Sequence, residues 1–231
     1  MKAIILAGGM GTRLREVITE LPKPMAPVGG KPFLEYLILQ LRKWNITEII
    51  LSVGFRKEII KSHFGDGSPS GTMIEYSEED EPLGTGGALR QAIASCNDSC
   101  FVVLNGDSFF NLDMGDLARF HASRRCLMTI GLCRVKSMKR YGSVEIGEDG
   151  RVLSFQKKGS DAPGLINGGI YAVHRNIANH IPEGKVSLEE SVMPKLMKKN
   201  LLYGKAFEAF FLDIGIPEDY FWIDKHPENL S

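Results

Sequence analysis

Short, uniformly apolar runs alternate with amphipathic stretches through the first half of this chain, and that alternation leaves few folds open. "KAIILAG" (residues 2–8) is β-branched, apolar at consecutive positions and closed by glycine, the pattern of a strand buried on both faces. "FLEYLILQLRKW" (33–44) predicts an amphipathic helix, "ITEIILSVGF" (46–55) a second buried strand, and "RKEIIKSHFG" a helix ending at Gly65. A helix over 86–96 and an apolar strand over 100–110 continue the series. After about residue 127 the pattern changes. "CLMTIGLCRV", "GSVEI", "RVLSFQKK" and "LINGGIYAV" read as strands joined by short turns, with "EDG" (148–150) as a hairpin connection. Ser187 and Glu190 have capping-box spacing, so a helix should begin there, with Pro194 kinking it or lying in its early turns. "YGKAFEAFFLDIG" predicts a last strand pair, and Pro217 is well placed to open a closing helix.

The fold class this implies is α/β: a Rossmann-like, mixed, mainly parallel sheet flanked by helices, with a smaller antiparallel portion. At 231 residues one substantial core is expected, and no linker, repeat or low-complexity tract divides the chain. Lys+Arg and Asp+Glu both number 28, which leaves no global field to attract nucleic acid or an anionic membrane. The short basic runs "VKSMKRYG" and "MPKLMKKN" read as solvated faces. The four cysteines form no CxxC pair, so reduced thiols are expected rather than zinc ligands or a disulfide framework. The first apolar run is too short for a signal peptide or a membrane span, and the expected location is cytoplasmic. Nothing in the composition opposes a homo-oligomer.

In open parallel sheets ligands bind beyond the carboxyl ends of the strands. "AGGMGTRL", "NGDSF" and "EEDEPLGTGGAL" all fall at such ends. The first lacks the third glycine of a dinucleotide fingerprint, and no stretch supplies a P-loop. What remains is a nest of backbone N–H groups at a strand-to-helix turn, suited to phosphate oxygens, with Arg13 as a planar cation beside it. Lys23 lies between two prolines that hold the backbone extended; it is either an ordinary loop lysine or a second phosphate ligand. Asp107 ends an apolar strand at the same sheet edge, where a carboxylate can hold Mg²⁺ together with substrate phosphates. Asp213, after another apolar run, is either its partner or an acid at the start of a helix.

These residues resemble a known family. "LAGGMGTRL", "LPKPMAPVGGKP", "PLGTGGAL", "NGD", "LINGGIY" and "FLDIGIPEDY" occur in this order in the sugar-1-phosphate nucleotidyltransferases, and the resemblance runs from residue 2 to about 221. It implies the nucleotide-diphospho-sugar transferase fold as a single catalytic domain. About 1–126 would form its nucleotide-binding half and about 127–231 its sugar-binding half, with no C-terminal β-helix. It also implies a reaction in which a nucleoside triphosphate and a sugar 1-phosphate give a nucleotide sugar and pyrophosphate.

By motif, Leu6, Ala7, Gly8 and Gly9 would lie against the nucleoside, with Gly84 and Thr85 completing the nucleotide site. Gly11, Thr12 and Arg13 would meet the triphosphate, Lys23 would neutralise phosphate charge, and Asp107 and Asp213 would hold Mg²⁺. Asn105, Gly142, Asn167, Gly168 and Tyr171 would line the sugar pocket, with Lys157 on the sugar phosphate. The family usually has Glu-Lys where this chain has Gln156-Lys157, so Gln156 would accept from a sugar hydroxyl without charge assistance. The catalytic set implied is Arg13, Lys23, Asp107, Lys157 and Asp213.

The acidic run before Gly84 reads as a solvated loop, except that Glu79 falls where related enzymes place a base-reading side chain. A carboxylate only accepts hydrogen bonds, and guanine's Watson–Crick edge offers two adjacent donors where thymine and uracil offer one flanked by acceptors. The expectation is therefore GTP. Whole-chain texture looks most like the D-glycero-α-D-manno-heptose 1-phosphate guanylyltransferases, whose product would serve surface polysaccharide (capsule or lipopolysaccharide) synthesis. Mannose 1-phosphate with GTP, and N-acetylmuramate or glucose 1-phosphate with UTP, are the alternatives. A catalytically silent nucleotide-sugar sensor would have no need of a metal pair.

Overall fold

The computed structural model describes residues 1–9, 21–157 and 159–230. The first half builds a parallel sheet. β1 (Lys2–Leu6) is followed by the two-residue strands β2 (Pro27–Val28) and β3 (Lys31–Pro32), which pair with each other, and by α1 (Phe33–Lys43). β4 (Glu48–Val53), α2 (Lys57–Phe64), β5 (Met73–Glu78), α3 (Gly84–Ala94) and β6 (Cys100–Asn105) follow. β1 lies between β4 and β6, with β5 outside β4, all parallel. Alternate residues of β1 explain its unbroken apolar run. Ala3 and Ile5 enter the core under α1, α2 and α4 (Met114–Ala122), whereas Ile4 enters the opposite core under α3.

The second half is more antiparallel. β7 (Ser108–Phe110) precedes α4, and β8 (Met128–Val135), β9 (Ser143–Ile146), β10 (Val152–Gln156) and β11 (Gly164–His174) come after it. β11 is long enough to serve two neighbourhoods. Its last five residues pair antiparallel with β6 while most of its length pairs with β8, which joins the two halves into one sheet. Between Asn167 and Ile170 its register against β8 slips by two residues, a bulge containing Gly168 and Gly169. A wide helical turn (Leu188–Val192) then leads into α5 (Met193–Lys198), and β12 (Leu202–Phe207), β13 (Phe211–Asp213) and α6 (Pro217–Lys225) complete the order.

Several expectations are revised. The apolar stretch 100–110 is two strands, broken at Gly106–Asp107, because β7 leaves the main sheet to pair with β13. β12 and β13 are therefore not a hairpin: β12 runs parallel to β8. The "GTGG" segment is the first turn of α3, which begins at Gly84 rather than residue 86. Ser187 Oγ accepts from the Glu190 N–H at 3.0 Å, as its spacing requires, and Pro194 sits in the first turn of α5. β5 and α4 were not anticipated. All four cysteines are free, and among the described residues no helix is long and apolar enough to cross a membrane.

Candidate active site

The carboxyl ends of β1, β5 and β6, the first turns of α3 and the middle of β11 enclose a cavity of about 690 Å³. Backbone crowding at its base has a direct cause in sequence. Gly106 donates its N–H to the Leu6 carbonyl at 3.0 Å, and a Cβ at Gly106 would stand 2.8 Å from that oxygen, so a side chain there would prise β1 from β6. At Gly8 a Cβ would collide with Oε1 of Glu79. Glycine at position 8 thus leaves room for a carboxylate that is itself buried, at 8% exposure. Ser52 Oγ donates to Glu79 Oε1 at 3.3 Å and the Leu83 N–H donates to Oε2 at 2.9 Å. Each carboxylate oxygen keeps acceptor capacity, and the residue lines the cavity.

Lys23 enters the cavity from a short turn (Lys23–Met25) with Pro22 at φ −58° before it and Pro24 after it. Its Nζ lies 2.6 Å from Asp107 Oδ2 and 3.8 Å from Asp213 Oδ1, with only 12% of the side chain exposed. The acids, 106 positions apart in sequence, meet because β7 and β13 pair antiparallel with Asp213 opposite Ser108. Asp213 Oδ1 also accepts from the Gly215 N–H at 2.7 Å. Burial, and then the neighbouring Asp107 charge, push the Asp213 carboxyl above its ordinary pKa. Two oxygen donors already sharing one cation fit Mg²⁺, which takes one or two carboxylates and completes its shell with phosphate and water. Among the described residues no cluster of three or more His, Cys, Asp and Glu forms a fuller metal cage.

Asn105, Ser108 and Asn167 add uncharged polar groups to the lining. Asn167 accepts from the Gly169 N–H at 2.9 Å and donates to the Tyr171 hydroxyl at 3.0 Å, to which Asn105 also donates at 3.4 Å. Asn105 Oδ1 and Ser108 Oγ are buried in the protein without a hydrogen-bond partner, yet both residues line the cavity. Glu189 also lines the cavity, accepting from Thr85 Oγ1 at 2.7 Å and Ser187 Oγ at 3.2 Å.

A lysine-bridged acid pair at the edge of a parallel sheet, in one cavity with uncharged hydrogen-bonding side chains, suits substrates that carry phosphate and hydroxyl groups. The family model described as "Nucleotidyl transferase" matches residues 2–229. The chain belongs to the nucleotidyl transferase family. It is 43% identical over 222 residues to a D-glycero-α-D-manno-heptose 1-phosphate guanylyltransferase of Aneurinibacillus thermoaerophilus, covering 95% of each chain. It is 37% identical to a mannose-1-phosphate guanylyltransferase of Mycobacterium tuberculosis, covering 94% of this chain and 62% of that protein. The crystal structure of HddC from Yersinia pseudotuberculosis complexed with GMP-PN superposes with a TM-score of 0.86 at 35% identity, covering 97% of this chain and 98% of that one.

Of the residues expected at the nucleotide, Leu6 through Gly9, Glu79, Gly84 and Thr85 all line the cavity. Lys23, Asp107, Asp213, Asn105, Gly142 and Asn167 line it as well, with Asn105 beside Leu6 on the neighbouring strand. Gly11, Thr12 and Arg13 lie outside the described residues. Four positions depart from the expected lining. Gly168 is turned on to the Phe110 ring, and its neighbour Gly169 faces the cavity instead. Tyr171 has no exposed surface; it lies one step deeper and holds Asn167 and Asn105 from below. Gln156 and Lys157 are exposed at the end of β10, outside the cavity wall. Sequence reasoning missed Ser108, Tyr141, Lys185 and Glu189. Two of them carried a signal: Ser108 falls within "NGDSF", and Glu189 stands one residue before the acid of the capping-box spacing.

Proposed function

We propose that this nucleotidyl transferase moves GMP from GTP to D-glycero-α-D-manno-heptose 1-phosphate, releasing pyrophosphate and leaving a GDP-activated heptose. The observation that carries the reading is the joint presence, in one cavity, of a buried acceptor, Glu79, and the Lys23–Asp107–Asp213 cluster. The heptose rests on the 43% identity to the Aneurinibacillus thermoaerophilus enzyme, and GTP on Glu79 and on the GMP-PN complex of the Yersinia pseudotuberculosis structure. Product formed in the cytoplasm would supply surface polysaccharide.

The sugar phosphate is already an anionic nucleophile, so no general base is required. The barrier is the approach of two polyanions before the sugar-phosphate oxygen attacks the α-phosphorus and pyrophosphate departs. Asp107 and Asp213 would hold Mg²⁺, which when bound supplies charge neutralisation at the phosphate oxygens. Lys23 and Arg13 would bind the triphosphate. Glu79 would accept from guanine N1–H and the 2-amino group, and Asn167 would orient a sugar hydroxyl.

Incubating the protein with GTP, UTP, dTTP and ATP in equal amounts, Mg²⁺ and equal amounts of the heptose 1-phosphate and mannose 1-phosphate, then weighing the sugar nucleotides by mass spectrometry, tests this reading. GDP-heptose should dominate. A uridine or thymidine product would overturn the base assignment, and preference for mannose 1-phosphate over the heptose would overturn the sugar.

A further inference from the structure

Lys23 stands where a cation shared by Asp107 and Asp213 would stand. Its ammonium is 2.6 Å from one carboxylate and 3.8 Å from the other, in a pocket that exposes 12% of the side chain. The surroundings are shaped to keep it there. Gly215 lies against the ammonium so closely that a Cβ at that position would collide with Nζ. The flanking prolines fix the backbone of the turn, so the ammonium can relocate only by rotation of its own side chain. Two carboxylates this close repel each other strongly unless a positive charge lies between them.

We infer that Lys23 is a resident counter-cation of the acid pair, competing with the metal ion until a triphosphate draws the ammonium away. The inference rests on the metal reading of Asp107 and Asp213 proposed above, and adds to it a coupling between metal and nucleotide. Without nucleotide, the divalent ion must displace a charged amine already hydrogen-bonded to Asp107. With nucleotide, phosphate oxygens offer Lys23 a new partner and leave the carboxylates to the metal. The same lysine therefore serves two anions in turn, and metal and triphosphate bind with positive cooperativity by linkage.

Binding of Mn²⁺, followed by its electron paramagnetic resonance signal in nucleotide-free protein, tests this directly. Lys23→Met removes the charge while keeping much of the side chain's length, and Lys23→Arg keeps the charge. K23M should bind Mn²⁺ about tenfold or more tightly than wild type, and K23R should resemble wild type. Adding GTP should tighten Mn²⁺ binding more in wild type than in K23M. Should K23M be unfolded in EDTA, circular dichroism during a Mg²⁺ titration supplies the reading, because the ion should restore its fold. K23M that binds Mn²⁺ no more tightly than wild type, or remains unfolded with Mg²⁺, overturns the inference. The control is Asp107→Asn in the K23M background. Loss of the tight site there assigns it to the acid pair; retention overturns the metal reading itself, and the inference with it.

Discussion

Ile214 donates its backbone N–H to the carbonyl of Asp107 at 3.0 Å, locking the residue after Asp213 on to the other acid. The β7–β13 ladder, in which Asp213 opposes Ser108, extends this clamp. The spacing of the two carboxylates is thus set by main-chain hydrogen bonds, and side-chain changes at either acid should leave the scaffold standing.

Asp213→Asn separates stability from function. Burial and the Asp107 charge both disfavour the ionised Asp213 carboxyl, so its folded-state pKa lies above the unfolded value and the charge costs stability at neutral pH. In metal-free buffer at neutral pH the variant should melt at or above the wild-type temperature. A fall of more than about 5 °C would show that the charge supports the fold.

Glu79→Gln should lower kcat/KM for GTP by roughly 10- to 100-fold, since it replaces a charged acceptor of two parallel hydrogen bonds with an amide that offers one. Discrimination against UTP and dTTP should shrink in parallel. Unchanged selectivity in side-by-side kinetics would remove Glu79 as the base reader.

Tyr171→Phe leaves the Asn167 and Asn105 amides without their shared acceptor beneath the cavity wall. KM for the sugar phosphate should rise roughly fivefold or more, with KM for GTP unmoved. An equal rise in both constants would mean that the hydroxyl supports the whole cavity and not one wall.

Acid should destabilise the protein away from the site. His121 is buried, with Nδ1 2.9 Å from Thr129 Oγ1 and near Cys126 Sγ, and burial lowers its pKa from 6.5 to about 4. The unfolded chain therefore binds the proton first, and stability is lost as pH falls from about 6.5 towards 4, by on the order of 3 kcal/mol at most. Urea unfolding across this range should show the slope, and His121→Gln should flatten it. An identical slope in the variant would place the acid sensitivity elsewhere.

Much of the first half was legible because both faces of its central strands are covered. Residues 3–6, 49–51 and 100–104 then read as continuous apolar runs. β5 was missed because it is an edge strand, exposing Met73 and Glu75 while burying Ile74 and Ser77. α4 was missed because Gly115 and a short apolar set weaken its pattern, although Asp113 caps it through the Asp116 N–H at 2.7 Å. The acids at 107 and 213 could be chosen by residue type and position at strand ends. Depth could not: nothing in "LINGGIY" distinguishes a residue facing the cavity from one supporting it, and Tyr171 proved to be the latter. Lys157 illustrates the same limit, since a motif fixes its place along the chain but not its distance from the cavity.

Pyrophosphate release from GTP and the heptose 1-phosphate, measured in wild type, Asp107→Asn and Asp213→Asn with EDTA and then with Mg²⁺ restored, tests the central claim most directly. Release should be Mg²⁺-dependent in wild type and fall about 10³-fold or more in each folded variant. Near-wild-type release by either variant, or release undiminished in EDTA, would contradict the convergence of these two acids on one catalytic cation.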